Sequence, residues 1–478
     1  MKTAFEEVMD IRGKATPEDD TVTITGADPV FSTPFRLGET CASVLAGVGV
    51  AVSDIWALKT GRPQNVAIDA RHAAAALRST LYMQRPGPDG SFLPLINDSH
   101  EAMLKITQPW PTKDGRWFLP HFGLPNLKER VLGVLGCEPN PASVATAVAQ
   151  WDALDLEAAI DAARACGGMV RSNAEWLSHP HGQALQGKPI VEIIKIADSN
   201  PEPLPAGNRP LSGIRTLDLT RILAGPIAAR TLAENGADVL MVAAEHLPQI
   251  DEHVIDTSHG KRSCYLNLKT TEGTAQLKKL ARGADVFSQG YRPGMLAGLG
   301  FGPEDLAAIR PGIVYLSISC FGADGPFSHR GGWEQVAQTV TGLCHDGGDG
   351  DRPGLLPAAA CDYTTGYLGA YGVLLALTRR ALEGGSYHVR VSLCQSGMFI
   401  YRQGKTAFTA PSMDLTNAER GALCIDTQPA SGPLRHLGPV LCLSETQPHW
   451  TRPTPVLGGD APKWLDPNAA AGAAKAAE

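Results

Sequence analysis

The run Leu211-Ser-Gly-Ile-Arg-Thr-Leu-Asp-Leu-Thr-Arg-Ile-Leu-Ala-Gly-Pro226 decides the fold. Its first half, Gly213 to Leu219, is rich in apolar and branched residues and reads as a strand. Arg221 to Pro226 reads as a loop, because Gly225 and Pro226 punctuate it. Ile227 to Asn235 reads as a helix stopped by Gly236, and Ala237 to Val242 as the next strand. The alternation continues with a helix at Glu272–Arg282 and strands at Ala284–Phe287 and Gly312–Ser319. Strands alternating with helices predict an α/β fold, a parallel sheet wrapped by helices. Ligands of such sheets bind beyond the carboxyl ends of the strands, so chemistry is expected in the loops after Leu219, Phe287 and Ser319.

Upstream, residues 1–34 read as a polar lead-in. Arg36 to Thr60 carries apolar residues at spacings of three and four (Leu37, Cys41, Val44, Leu45, Val48, Val52, Ile55) and reads as a packed helix ended by Gly61. Gln64 to Asp69 alternates like a strand. Residues 86–140, cut by Pro and Gly and holding the turn Lys113-Asp114-Gly115-Arg116, read as a smaller, partly β domain. Residues 142–187 return to helix, and 199–210 form a Pro-rich connector. The chain thus divides into 1–34, 35–198, the connector 199–210, a main α/β domain at 211–400, and a closing segment and tail at 401–478. One internal echo stands out. Gly49–Asp69 and Gly369–Ser392 each pair a helix, basic residues and Gly with a Val-rich strand, which suggests two related modules joined.

Composition narrows the functional classes. The chain has 478 residues, 43% hydrophobic and 19% charged, with a net charge of −7. No long basic run exists, which argues against a general nucleic-acid surface. Gly260-Lys261-Arg262 is a local cluster that could hold a phosphate. The acidic start lacks the apolar core of a signal peptide, and no run reads as a membrane span: Ser53 and Asp54 interrupt the stretch Ala42–Leu58. The ten cysteines have neither metal-type nor disulfide-type spacing, so reduced thiols and a cytoplasmic home are expected.

The order of short motifs from 211 to 400 resembles the family III CoA-transferases, the carnitine-dehydratase-like group. After the opening run come Leu232-Ala-Glu-Asn-Gly-Ala-Asp-Val-Leu240, Gly260-Lys-Arg-Ser263, Leu266-Asn-Leu-Lys269, Ala284-Asp-Val-Phe287, Tyr291-Arg-Pro-Gly294, Val314-Tyr-Leu-Ser-Ile-Ser319 and Trp333-Glu-Gln-Val-Ala-Gln338. Residues 36–195 resemble the family's carboxyl-terminal half, with Asp114-Gly115-Arg116 and Glu175-Trp176 in place, and 433–465 resemble its closing segment. The segments therefore stand in a rearranged order. The resemblance implies a large Rossmann-like domain with a smaller α+β domain, and an interlocked homodimer. It implies an acyl-CoA and a carboxylic acid as substrates, with no metal or tightly bound cofactor.

The resemblance also assigns residues. Asp362, in Ala360-Cys-Asp-Tyr-Thr-Thr-Gly366, stands where the family places its nucleophilic carboxylate; taken alone it would read as a helix N-cap. A helix start would favour the ionised carboxylate and supply N–H donors to a developing oxyanion. Glu334 matches a second acidic position. Leu223, Ala224, Gly225 and Pro226, with Tyr291, Arg292 and Met295, fall where the family's loops follow CoA, and Lys261 and Arg262 are candidates for its phosphates. Departures are Leu223, where formyl-CoA transferases carry Gln, and Gly298, where a basic residue is common. Trp333 replaces the His of the racemase branch and cannot exchange a proton at carbon. A non-catalytic CoA-binding subunit is the alternative of a different class. The Gly298–Gly302 run follows a turn rather than a strand and does not meet the context of a dinucleotide fingerprint. Cys361 reads as a small buried residue, and His179-Pro-His181 lacks metal-type spacing.

Overall fold

The computed structural model describes residues 2–18, 20–95, 98–407 and 414–466. Residues 408–413 and 467–478 of the closing segment lie outside the described residues.

Seven strands form the main sheet: β1 Glu192–Ala197, β2 Arg215–Asp218, β3 Asp238–Ala243, β4 Arg262–Tyr265, β5 Val286–Gln289, β6 Val314–Ser319 and β7 Ser386–Ser392. Their order across the sheet is β4-β3-β2-β5-β6-β7-β1. The six strands from β2 to β7 run parallel, and β1 closes the edge antiparallel to β7. The strand order reverses between β2 and β5, so the crevice expected to bind ligand opens there. Strand β1 precedes the connector, so the sheet is completed by the segment on its other side.

Both faces of the sheet are covered, which is why its inner strands are buried almost throughout. On one face Val314, Leu316 and Val389 pack against helices α2 Ala224–Glu234 and α4 Ala360–Glu383. On the other, Leu217, Phe287 and Tyr315 meet Leu277, Leu280 and Leu306. Three further helices matter below: α1 Leu37–Thr60, α3 Glu334–Thr341 and α5 Leu393–Arg402. Ala224 to Pro226 begin α2 rather than extending the loop. Pro226 tolerates this because an N–H in a helix's first turn has no partner within the helix.

The internal echo has a structural counterpart. Helices α1 and α4 are 24 residues each, and each ends at a glycine with positive φ, Gly61 at 76° and Gly384 at 71°. Each leads into a strand whose last residue, Asp69 or Ser392, caps a following helix. By length and composition α1 could cross a membrane, but 83% of its apolar window is buried inside the protein. A helix apolar on all sides is satisfied equally by a protein interior.

The smaller unit is antiparallel Trp110–Pro111, Trp117–Pro120 and Gly167–Met169 with helices Pro125–Leu135, Pro141–Val148 and Ala153–Ala162. Its core of Phe118, Phe122, Val131, Val144, Leu156 and Ile160 extends past residue 140, because the third strand arrives only at 167. The hairpin at Gln84–Pro86 and Phe92–Pro94 belongs elsewhere: Gln84 pairs with Arg435 of the closing segment.

The closing segment is anchored on the main domain by a buried aromatic stack. His259 and His436 lie face to face at 3.6 Å, with Trp450 against both. Neither ring is exposed, and neither His259 nitrogen has a hydrogen-bond partner among the described residues. Burial first, then His436, Arg230 and Lys261, hold the His259 pKa well below its usual value. The unfolded chain therefore binds a proton near pH 6.5 that the folded chain refuses, and stability falls as pH drops through that value. Glu234, pushed up to about 8 by burial, titrates with the opposite sign, so a difference measurement is needed. Urea unfolding of wild type and His259→Phe at pH 7.5 and 5.5 should show the wild type losing about 1 kcal/mol more on acidification; equal losses would mean the stack is protonated in the fold.

Candidate active site

The crevice at the strand reversal is built on Asp218, the last residue of β2. Its fully buried carboxylate accepts from Lys261 Nζ at 2.8 Å, Ser288 Oγ at 3.1 Å and the Thr220 N–H at 3.0 Å. Lys261 Nζ also donates to the Pro226 carbonyl at 2.9 Å. Two expectations are corrected here. Lys261 is turned inward and spends its charge on Asp218. Arg262 is also buried, bound to Asp238 at 3.1 Å and to the Lys463 carbonyl at 2.8 Å. Neither faces the crevice.

The loop that leaves Asp218 is strained. Ile222 has φ of +73°, a left-handed conformation that a β-branched residue adopts only when held there. Gly225 is required beside it, since a Cβ would lie 2.2 Å from Thr220 Cβ. The bend aims the first turn of α2 at the start of α4, where Gly366 admits the Ala224 carbonyl; a Cβ there would lie 2.6 Å from it.

Asp362 sits in the first turn of α4, 6% exposed, and the Ala224 N–H lowers its pKa by donating to it. It is not the cap: the N-cap position is Ala359. The capping is done from another helix. Glu334, first residue of α3, accepts the Cys361 N–H at 3.0 Å, the Asp362 N–H at 2.5 Å and Gln338 Nε2 at 2.6 Å. The N–H groups expected to serve an oxyanion at Asp362 are thus taken by Glu334, and the helix terminus that faces Asp362 is that of α2. Burial, then the charge of Glu334, raises the Asp362 pKa well above the usual range. Burial also raises Glu334, but three donors favour its ionised form, so Glu334 is the member that holds its charge.

The cleft at Asp362 has a volume of about 260 Å³. Leu223, Ala224, Gly225, Tyr291 and Arg292 border it, together with Asp362. Pro226 does not; its carbonyl faces Lys261. Met295 is 55% exposed and lies in a neighbouring notch. The wall opposite α2 holds residues that sequence reasoning did not assign. Trp333 stacks on His121 at 4.6 Å, and Cys166, Asn126 and Leu127 come from the smaller unit. Arg221, Ile222 and Cys320 also border the cleft. Arg221 donates to the Pro248 carbonyl and keeps its buried Nε without a partner among the described residues. Its place in the opening run was the one available signal. His181 is fixed between the Phe321 carbonyl at 2.7 Å and the Phe327 N–H at 3.0 Å, away from the cleft.

The family model described as CoA-transferase family III matches residues 211–476. The chain belongs to that family. The acetyl-coenzyme A transferase nodX of Hypoxylon pulicicidum is 31% identical over 416 residues, covering 78% of this chain and 70% of that protein. An acyl-CoA transferase of Gibberella moniliformis is 30% identical over 408 residues, covering 77% and 71%. Both alignments cover more than the stretch from 211 onward can supply, so they run through both sides of the connector. Human succinyl-CoA:glutarate CoA-transferase is 38% identical over 184 residues, covering 35% of this chain and 41% of that protein. The crystal structure of Rv3272 from Mycobacterium tuberculosis matches at TM-score 0.38 and 29% identity, over 40% of this chain and 57% of that one. The chain is thus an enzyme of the CoA-transferase class, acting on CoA thioesters.

Two tests follow from this geometry. Lys261→Met leaves Asp218 buried and unpaired, and should cost about 3–5 kcal/mol in urea unfolding; a loss below about 1 kcal/mol would show that the pair does not organise the loop. Glu334→Gln removes the like charge beside Asp362 and lowers the Asp362 pKa. The acid limb of the pH profile of kcat/KM should therefore move to lower pH, whereas a limb that stays in place would leave Glu334 as a cap alone.

Proposed function

We propose that this CoA-transferase moves CoA from an acyl-CoA to a free carboxylic acid, with Asp362 as the nucleophile. The observation that carries this reading is a single buried carboxylate in a cleft at the strand reversal, with a second carboxylate committed to holding its helix. An Asp362 oxygen attacks the thioester carbon, the C–S bond breaks, and CoA thiolate leaves behind a mixed anhydride. The thiolate then attacks the aspartyl carbonyl and expels the donor acid as its carboxylate, leaving an aspartyl-CoA thioester. The acceptor carboxylate repeats the sequence in reverse and departs as its own CoA thioester. Every step exchanges one activated acyl group for another, so no external energy source enters.

The residues fit these steps. A raised pKa makes the Asp362 carboxylate a stronger nucleophile once ionised. In the first turn of α2 the Ala224 N–H is on Asp362 and Pro226 has none, which leaves the Gly225 N–H for the charge that develops on the carbonyl oxygen. Leu223 and Trp333 make the reacting end of the cleft apolar and favour acids larger than oxalate. Arg221, which borders the cleft, suits the second carboxylate of a short dicarboxylic acid, in keeping with the succinyl-CoA and glutarate named for the human relative.

The test is intact-protein mass spectrometry after mixing with acetyl-, succinyl- and glutaryl-CoA, with and without hydroxylamine. A hydroxylamine-sensitive adduct on the peptide holding Asp362 is expected, and Asp362→Ala should lose transfer by at least about a thousandfold. CoA binding with no adduct from any donor would favour a non-catalytic CoA-binding subunit.

A further inference from the structure

On the far side of Arg292 from the catalytic cleft lies an open notch of about 510 Å³, between the Ala153–Ala162 helix and the loop after β5. Arg164, Arg292, Arg330 and His329 border it, with Asp161 and Met295. Arg164 is exposed, and its backbone is left-handed, with φ of +53°. Two guanidiniums hold it there: its carbonyl accepts from Arg130 Nη1 at 3.0 Å and Arg292 Nη2 at 2.9 Å. Its own guanidinium makes no hydrogen bond or ion pair among the described residues. Arg330 lies over the Phe327 ring at 3.7 Å with its Nε 3.0 Å from Asp161, which also receives His329 at 3.2 Å. Arg330 thus stands between Asp161 and Glu157, 3.6 Å from the latter, while Arg164 and Arg292 are paired with no carboxylate among the described residues. The nearby Glu157 is already bound to Arg171 at 2.6 Å.

We propose that this notch takes a phosphate of the nucleotide end of the CoA thioester, with Arg164 reaching it from the smaller unit. The proposal rests on the CoA-thioester reading above. Lys261 and Arg262 are turned inward, so the phosphate charge of the substrate must be met elsewhere. Arg292 borders both cleft and notch, so a ligand with its thioester at Asp362 can continue past it. A guanidinium presents a planar fork that matches phosphate oxygens, and the two donors on its carbonyl hold the Arg164 backbone at the rim of the notch.

Calorimetric titration of wild type and Arg164→Ala tests this, using CoA, adenosine 3′,5′-bisphosphate and acetyl-pantetheine. Arg164 is exposed, and alanine fits its backbone no worse, so the variant should fold. Loss of the contact should weaken CoA and the bisphosphate roughly ten- to thirtyfold, and acetyl-pantetheine, which has no phosphate, less than about twofold. Arg164→Lys should recover part of the loss. Undiminished CoA affinity in Arg164→Ala, or an equal loss for acetyl-pantetheine, overturns the notch while leaving the transferase reading intact. A wild type that binds neither CoA nor acetyl-CoA would overturn both.

Discussion

A carboxylate with no exposed surface is costly unless donors surround it, and Asp218 is held in that state by a lysine, two hydroxyls and a backbone N–H. The arrangement does more than neutralise a charge. Lys261 reaches from the start of β4 to both the end of β2 and the first turn of α2, and so fixes the distance between them. With both ends of the loop fixed, residues 219–226 must turn sharply, and the left-handed Ile222 is the consequence. The turn is what presents the Ala224 N–H to Asp362. The cleft at Asp362 thus depends on a pair that does not itself border it.

The two acidic residues at the cleft divide the work. Glu334 has three donors and no open side, which suits a permanently charged support. Asp362 has one protein donor and faces the cleft, which suits a group that must bond to carbon. Their charges are close enough that the ionised Glu334 pushes the Asp362 pKa upward. This makes Asp362 more basic and therefore more nucleophilic, at the expense of the fraction ionised. The Ala224 N–H opposes the push, so the loop anchored by Asp218 also tunes Asp362.

How much of this was legible in the sequence differs from element to element. The strands were, because a sheet covered on both faces favours apolar runs such as Val239–Ala244. Asp362 and Glu334 were reached through motif order, not through local pattern, since an acid near a helix start is commonplace. Lys261 and Arg262 misled because sequence shows a charge but not its direction, and a buried partner 43 residues away in the chain is invisible to spacing. Cys166, Asn126 and Leu127 carry no local signal at all. They enter the cleft only because the smaller unit folds back on the main domain.

That folding back has a chemical reason. The mixed anhydride and aspartyl thioester of the proposed transfer are both hydrolysed by water, so that reading asks the cleft to admit a pantetheine arm and an acid while limiting bulk solvent. A cleft at the end of an open sheet is exposed on one side by construction. Here the open side is closed by the smaller unit: Trp333 lies flat on His121, the Cys166 thiol sits against the indole, and Asn126 and Leu127 extend the wall. The same unit carries Arg164 at the outer edge. The segment that precedes the main domain in the chain thus walls the cleft beside Asp362 and, in the phosphate proposal, also offers charge where the polar end of the substrate would emerge.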